Sequence, residues 1–292
     1  MSAIEDSTQK PAPPTTRQAS QYKRGVVKIC LSGDCAVIRG KPRGGPPPEV
    51  NLALSGVTAP RLARRPAVAN PASGDAPPAS TEDEPFAWEA REFLRKKIGG
   101  KEVLFAEEAI IGGRSYGNIY IPPPDFNNSD NQKVEDISIF EDVRKAMILA
   151  GLVTIRASRH PDMDVLRALE EEARTNLAGL HSEESRNSGQ HVRKVLWAVE
   201  DVARLTDSSK KEPVKAVVEF VVNSTTLRLF LLPTETAPGF QYVTLLLSGV
   251  RTPSARPGEE KTSKEAYEAE AKFFVESRLL QRDVEVILEG SS

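Results

Sequence analysis

The feature that most constrains this chain is an internal repeat. Leu52-Ala53-Leu54-Ser55-Gly56-Val57-Thr58-Ala59-Pro60 recurs as Leu245-Leu246-Leu247-Ser248-Gly249-Val250-Arg251-Thr252-Pro253, 193 residues on. Upstream, Val26-Val27-Lys28 matches Val217-Val218-Glu219. Downstream, Glu89-Ala90-Arg91-Glu92-Phe93-Leu94 matches Glu270-Ala271-Lys272-Phe273-Phe274-Val275, and Lys101-Glu102-Val103 matches Arg282-Asp283-Val284, both at an offset of 181. The connection after Pro60 or Pro253 absorbs the difference. Two copies of one strand–strand–strand–helix–strand unit are therefore expected. Ser292 follows directly on the second copy's fourth strand, so that copy is read as truncated there.

Local patterns fill in each unit. Val26–Leu31 and Cys35–Arg39 read as strands around a Ser32-Gly33-Asp34 turn, and Val50–Leu54 as a third strand. Phe86, Ala90, Phe93, Leu94 and Ile98 fall on one helical face that Gly99-Gly100 ends. Lys101–Ala109 and Tyr116–Ile121 read as the fourth and fifth strands. Two helices follow, one carrying Phe140 to Ala150, the other Met163 to Leu177. The fold class implied is α+β, a small β-barrel carrying helices, in tandem. Residues 1–22, rich in Pro, Ser and Thr, read as a disordered tail. The first domain is placed at 23–180 with an insertion at 61–84, a connecting helix or linker at 181–212, and the second domain at 213–292.

The order of strand, Gly-Asp turn, strand, Leu-x-Gly-Val-x-x-Pro, helix, strand and Tyr-Gly resembles the staphylococcal-nuclease domain, an OB-type barrel. VIRGKPRGGPPPE (37–49), EAREFLRKKIGGKEV (89–103) and EAKFFVESRLLQRDVEVILE (270–289) carry the likeness further, to the first two nuclease-like repeats of the Tudor-SN family, multidomain proteins that add a Tudor domain to several such repeats. The resemblance covers roughly residues 24 to 290. It implies roles in small-RNA silencing through RISC, RNA turnover and transcriptional co-activation, in cytoplasm and nucleus, with duplex or small RNA, silencing proteins and transcription proteins as partners.

The active bacterial relative cleaves phosphodiesters with Ca²⁺ held by two Asp, a Glu assigned as general base, and two Arg. Of these, the resemblance leaves only Asp34. Thr58 replaces the second metal Asp, Arg61 the Glu, Ala53 the first Arg and Asn118 the second. The second copy offers Thr225, Leu246, Arg251 and Ser254 at the corresponding positions. A single carboxylate cannot satisfy a cation that takes 6–8 oxygen ligands. No catalytic residues, metal site or cofactor are expected, and Ca²⁺ enters only under the alternative of a Ca-dependent endoribonuclease. Asp34 itself is read as a turn residue bonding the nearby backbone.

Charge points elsewhere. Overall the chain is near neutral, at −2. Between Lys23 and Arg65, however, nine cations face two acids, Asp34 and Glu49. Such clustering favours phosphate through counterion release. Arg39, Lys41, Arg43, Arg61, Arg64 and Arg65 are the expected phosphate contacts. The bland reading is a solvated face offset by acids such as Glu82, Asp83 and Glu84. Phe105, Tyr116 and Tyr120 are open between base stacking and core packing, while Trp88 and Trp197 are read as packing residues. His160, His181 and His191 lack the spaced ligands of a zinc site. Cys30 and Cys35 flank the first turn and are expected to stay reduced. No apolar run approaches the ~20 residues that span a bilayer, so no membrane partner is expected. The linker could also form a groove serving as a protein-interaction platform without RNA binding.

Overall fold

The computed structural model describes residues 22–65, 82–126, 136–157, 161–199, 201–209, 212–235, 237–252 and 267–290. Nearly all of the anticipated tail, most of the insertion, His160 and Ser254 lie outside these.

In the first unit, β1 (Lys23–Ser32), β2 (Cys35–Arg39) and β3 (Glu49–Leu54) form an antiparallel meander. Irregular register at Val27/Ile29 and Cys30/Ser32 bends β1, as closure of a small barrel needs. A two-residue β4 (Val57–Thr58) follows Gly56, whose φ of 75° only glycine adopts freely. Then come α1 (Ala87–Ile98), β5 (Glu102–Ile111) and β6 (Arg114–Ile121). β5 pairs with β1, and β6 lies antiparallel to β5 and parallel to β3, Leu52 opposite Ser115. That last pairing closes the barrel. Gly117 lets β6 lie close against β5: a Cβ there would stand 1.8 Å from the Ala106 carbonyl oxygen.

The first core contains Val27, Ile38, Leu52, Leu54, Leu94, Ile98, Phe105 and Ile119. It is capped by β7 (Glu141–Asp142), α2 (Val143–Leu149), β8 (Thr154–Ile155) and α3 (Met163–Thr175), which add Val143, Met147 and Leu166. α3 is two residues shorter than its apolar spacing suggested, because Leu177 takes a positive φ beyond it and stays exposed. Arg144 on α2 is fully buried; it reaches the Ser55 carbonyl at 3.4 Å and Asp162 at 3.1 Å, tying the Leu-Ser-Gly-Val turn to the helices.

After α4 (Glu183–Asn187) come β9 (Val195–Leu196) and α5 (Val202–Ser208). The second unit repeats the meander as β10 (Val214–Val221), β11 (Thr226–Leu231) and β12 (Phe240–Leu246), followed by α6 (Glu268–Leu279) and β13 (Asp283–Val286). Strand order is β13-β10-β11-β12-β9. The stretch expected to be a connecting helix or linker carries α4 and α5 and also gives β9 to the second sheet, parallel to the start of β12. Among the described residues nothing bridges the far end of β12 to β13 as β6 bridges β3 to β5. A groove of about 1090 Å³ lies there, lined by Leu245, Leu247, Val286 and Leu288, with Val202 and Leu205 of α5 beside it.

Each helix reaches the other unit's first strand. From α1, Arg91 forms a two-point ion pair with Glu219 at 2.8 and 2.9 Å. Arg95 bonds the Gln281 carbonyl and Asp283. From α6, Glu276 faces Lys28 at 3.6 Å and Arg39 at 3.8 Å. The Gln281 side-chain amide both accepts from the Cys30 N–H at 2.6 Å and donates to the Cys30 carbonyl at 2.8 Å, so one side chain continues the edge of β1 as a strand would.

Candidate nucleic-acid interface

Asp34 sits in the turn between β1 and β2, where its carboxylate accepts a hydrogen bond from the Ser32 hydroxyl at 2.6 Å, and its carbonyl accepts from the Leu54 N–H. The partner is thus a side-chain hydroxyl, not the backbone N–H that turn chemistry suggests first. Arg114 lies beside it: desolvation disfavours the guanidinium charge, but its bond to Cys35 and the nearby Asp34 outweigh that and raise its pKa. Burial pushes the Cys35 thiol up, against the Arg114 bond.

The other family positions are no better placed for chemistry. Ala53 is buried in β3 opposite Cys35. Thr58 pairs with Thr154, and its hydroxyl is buried without a partner among the described residues. Arg61 is held by Glu84, side chain to side chain at 3.0 Å and through its backbone N–H at 2.8 Å. Asn118 is fully buried, its amide oxygen accepting from the Ile119 N–H. In the second unit, Thr225 bonds Asn223, while Leu246 and Arg251 are exposed. Among the described residues no three His, Cys, Asp or Glu side chains gather where a metal could sit. One carboxylate already engaged, flanked by an arginine, does not fit Ca²⁺.

The six basic residues separate into two groups. Arg39 is drawn into the joint between the units: Glu49 at 3.6 Å, Glu276 at 3.8 Å, and its guanidinium 4.8 Å from the Phe273 ring. Arg61 is tied to Glu84 though well exposed. Arg61 is thus offset by an acid, and Arg39 packs in the joint. Lys41, Arg43, Arg64 and Arg65 lie at the surface on two loops, with Arg65 5.4 Å over the Tyr242 ring. Phe105 belongs to the core, and Tyr120 is half-buried, edge-on to Tyr22 at 5.6 Å, so neither offers a free stacking face. His191 pairs with Glu89 and stacks on Phe86. Cys30 and Cys35 are free and buried; desolvation pushes the Cys30 thiol up to about 12 despite Arg91 and Arg95.

What the sequence reading missed is the joint itself. Asp83, with no exposed side-chain surface, holds Arg193 through Nε at 2.9 Å and Nη2 at 3.3 Å. The Arg193 guanidinium lies 4.1, 4.6 and 5.2 Å from the rings of Trp88, Phe230 and Phe240. The repeat alignment held one signal: Gln281 stands where the first copy has Gly100, and keeps a positive φ of 55° against 70°. A side chain retained in glycine's conformation marks a position chosen for that side chain.

Residues 51–183 match the family described as "Staphylococcal nuclease homologue". The chain is 39% identical over 288 residues to "Staphylococcal nuclease domain-containing protein 1" of Drosophila melanogaster, covering 96% of this chain and 28% of that one. It is 28% identical over 331 residues to "Ribonuclease TUDOR 2" of Arabidopsis thaliana, covering 93% and 30%. A Schizosaccharomyces pombe protein also called "Staphylococcal nuclease domain-containing protein 1" matches at 26% over 92% of this chain and 28% of its own length. The chain thus spans less than a third of the curated relatives it matches. With an OB-type barrel closed by β6 and this family match over residues 51–183, the chain carries a domain of the staphylococcal nuclease homologue family.

Proposed function

We propose that this chain is an RNA-binding and scaffolding module whose nuclease sites have lost their chemistry. The observation that carries this is the contrast between the two charge sets. The metal-binding positions hold Thr58, an ion-paired Arg61 and an already-bonded Asp34, whereas Lys41, Arg43, Arg64 and Arg65 stand at the surface. Exposed arginines on loops beside an OB-type barrel suit a phosphate backbone. By likeness to its relatives the module acts in small-RNA silencing, RNA turnover and transcriptional co-activation, in cytoplasm and nucleus, alongside silencing and transcription proteins. Two Arabidopsis relatives carry the word ribonuclease in their names. Cleavage by this chain would need carboxylates from outside the positions discussed.

The test is binding across a salt series. Replacing Lys41, Arg43, Arg64 and Arg65 by Ser is expected to weaken binding and reduce the salt slope by roughly 0.7 for each lost contact with a single strand. Arg61→Ser is expected to change it far less, since Glu84 already neutralises that charge. Unchanged affinity and slope in the four-residue variant would overturn the reading. Binding of protein partners with no RNA affinity would favour the interaction platform instead.

A further inference from the structure

Between the two units, beside the Asp83–Arg193 pair, is a cavity of about 230 Å³. Trp197, Phe220, Phe230 and Tyr242 supply its aromatic walls, and Arg91, Glu219, Arg193 and Gln281 its polar edge. It is smaller than the roughly 300–1,000 Å³ typical of sites for drug-sized ligands, so it suits one planar ring and not a whole nucleotide. Trp197 is half-buried and Phe220 is 46% exposed, so the walls are open to solvent on one side.

Three observations converge here. The inner charges are balanced, since Arg91 is paired with Glu219 and Arg193 with Asp83. Arg193, enclosed by the Trp88, Phe230 and Phe240 rings, is a fixed part of the wall. Leu62 and Ala63 line the cavity, so the next two residues, Arg64 and Arg65, stand at its mouth; Arg65 already lies over Tyr242.

We propose that this cavity takes one pyrimidine base of a single-stranded RNA. The ring stacks on Trp197, with Tyr242 at 62° to it as a side wall, and the neighbouring phosphates lie along Arg64 and Arg65. Aromatic faces supply sequence-tolerant stacking, and the one-ring size of the cavity supplies preference for a pyrimidine. Adenine, with two fused rings, exceeds that space. This inference rests on the RNA-binding reading above and names the site through which it acts.

The test uses the whole chain with three labelled oligonucleotides of equal length: oligouridylate, oligoadenylate and an abasic strand with the same phosphate backbone. Oligouridylate is expected to bind roughly 5- to 150-fold more tightly than the abasic strand, the range implied by stacking one base, and to quench tryptophan fluorescence. Trp197→Leu should remove most of that advantage and the quench. Phe220→Ser, at a half-exposed position, should reduce the advantage in the same direction. Equal affinity for all three strands, or an advantage that survives both substitutions, would overturn the base pocket and leave phosphate binding standing. Failure of every strand to bind would overturn the RNA-binding reading as well.

Discussion

The two copies share their local ladders and differ in how they are finished. β1, β2, β3 and β5 correspond to β10, β11, β12 and β13, and in both the helix opens on an aromatic residue with a positive φ, Phe86 at 66° and Tyr267 at 70°. Yet α1 buries six residues and α6 buries none. The difference lies in what covers them. β6 closes the first barrel and α2 and α3 seal it, while among the described residues the second sheet keeps β12 and β13 apart. Local sequence sets the ladder; depth of burial comes from segments far along the chain.

The Asp83–Arg193 pair is buried beside the second copy's rings, so the largest effect is expected there. Asp83→Ala leaves the buried Arg193 without its carboxylate and should cost about 3–5 kcal/mol in urea unfolding. Replacing the pair together, Asp83→Ala with Arg193→Met, should recover much of that. A loss under about 1 kcal/mol from the single change would show that the joint is not what holds the second unit.

Equivalent helix positions sharpen the contrast. Leu94 is fully buried, and its counterpart Val275 only partly. Leu94→Ala should cost about 2–5 kcal/mol, and Val275→Ala well under half as much. Equal costs would mean that the second copy has a core as tight as the first. Next in size, Gln281→Ala strips both backbone bonds from Cys30 and should cost about 1–3 kcal/mol by thermal or chemical denaturation.

The smallest effect separates the copies by pH. The Lys23 ammonium, with help from the Ser115 hydroxyl and against burial, holds Glu107 below the usual carboxylate range. Its counterpart in the second copy is Leu288. A carboxylate with a depressed folded pKa contributes stability that is present above the unfolded value of about 4.3, and that is lost as pH falls through the lower folded value. Glu107→Gln should flatten that acid limb and change neutral stability by less than about 1 kcal/mol, since Lys23 is largely exposed. An unchanged acid limb would remove Glu107 from the account.

Much of this was legible in the sequence. Alternation gave β2 and β3 to within a residue, and the Phe86–Ile98 spacing gave α1, because each is governed by contacts a few residues away. The replaced nuclease positions rest on the resemblance of short motifs to the staphylococcal-nuclease domain and not on such local contacts. β1 and β5 proved longer than their apolar runs, because backbone pairing continues where side chains turn outward, as at the exposed Ile110 and Ile111. The fates of Arg39 and Arg193 were not legible. Arg39 meets Glu276 and Arg193 meets Asp83 only after the two units dock, and charge counted along the chain says nothing about a partner 110 or more residues away.

The central claim is that these nuclease-like folds hold RNA without cutting it. The most direct measurement incubates the chain with end-labelled RNA, with Ca²⁺ or with chelator, and reads both samples on a denaturing gel after binding has been verified. The account predicts bound RNA of unchanged length in both. Shortened RNA in the Ca²⁺ sample that the chelator prevents would contradict it.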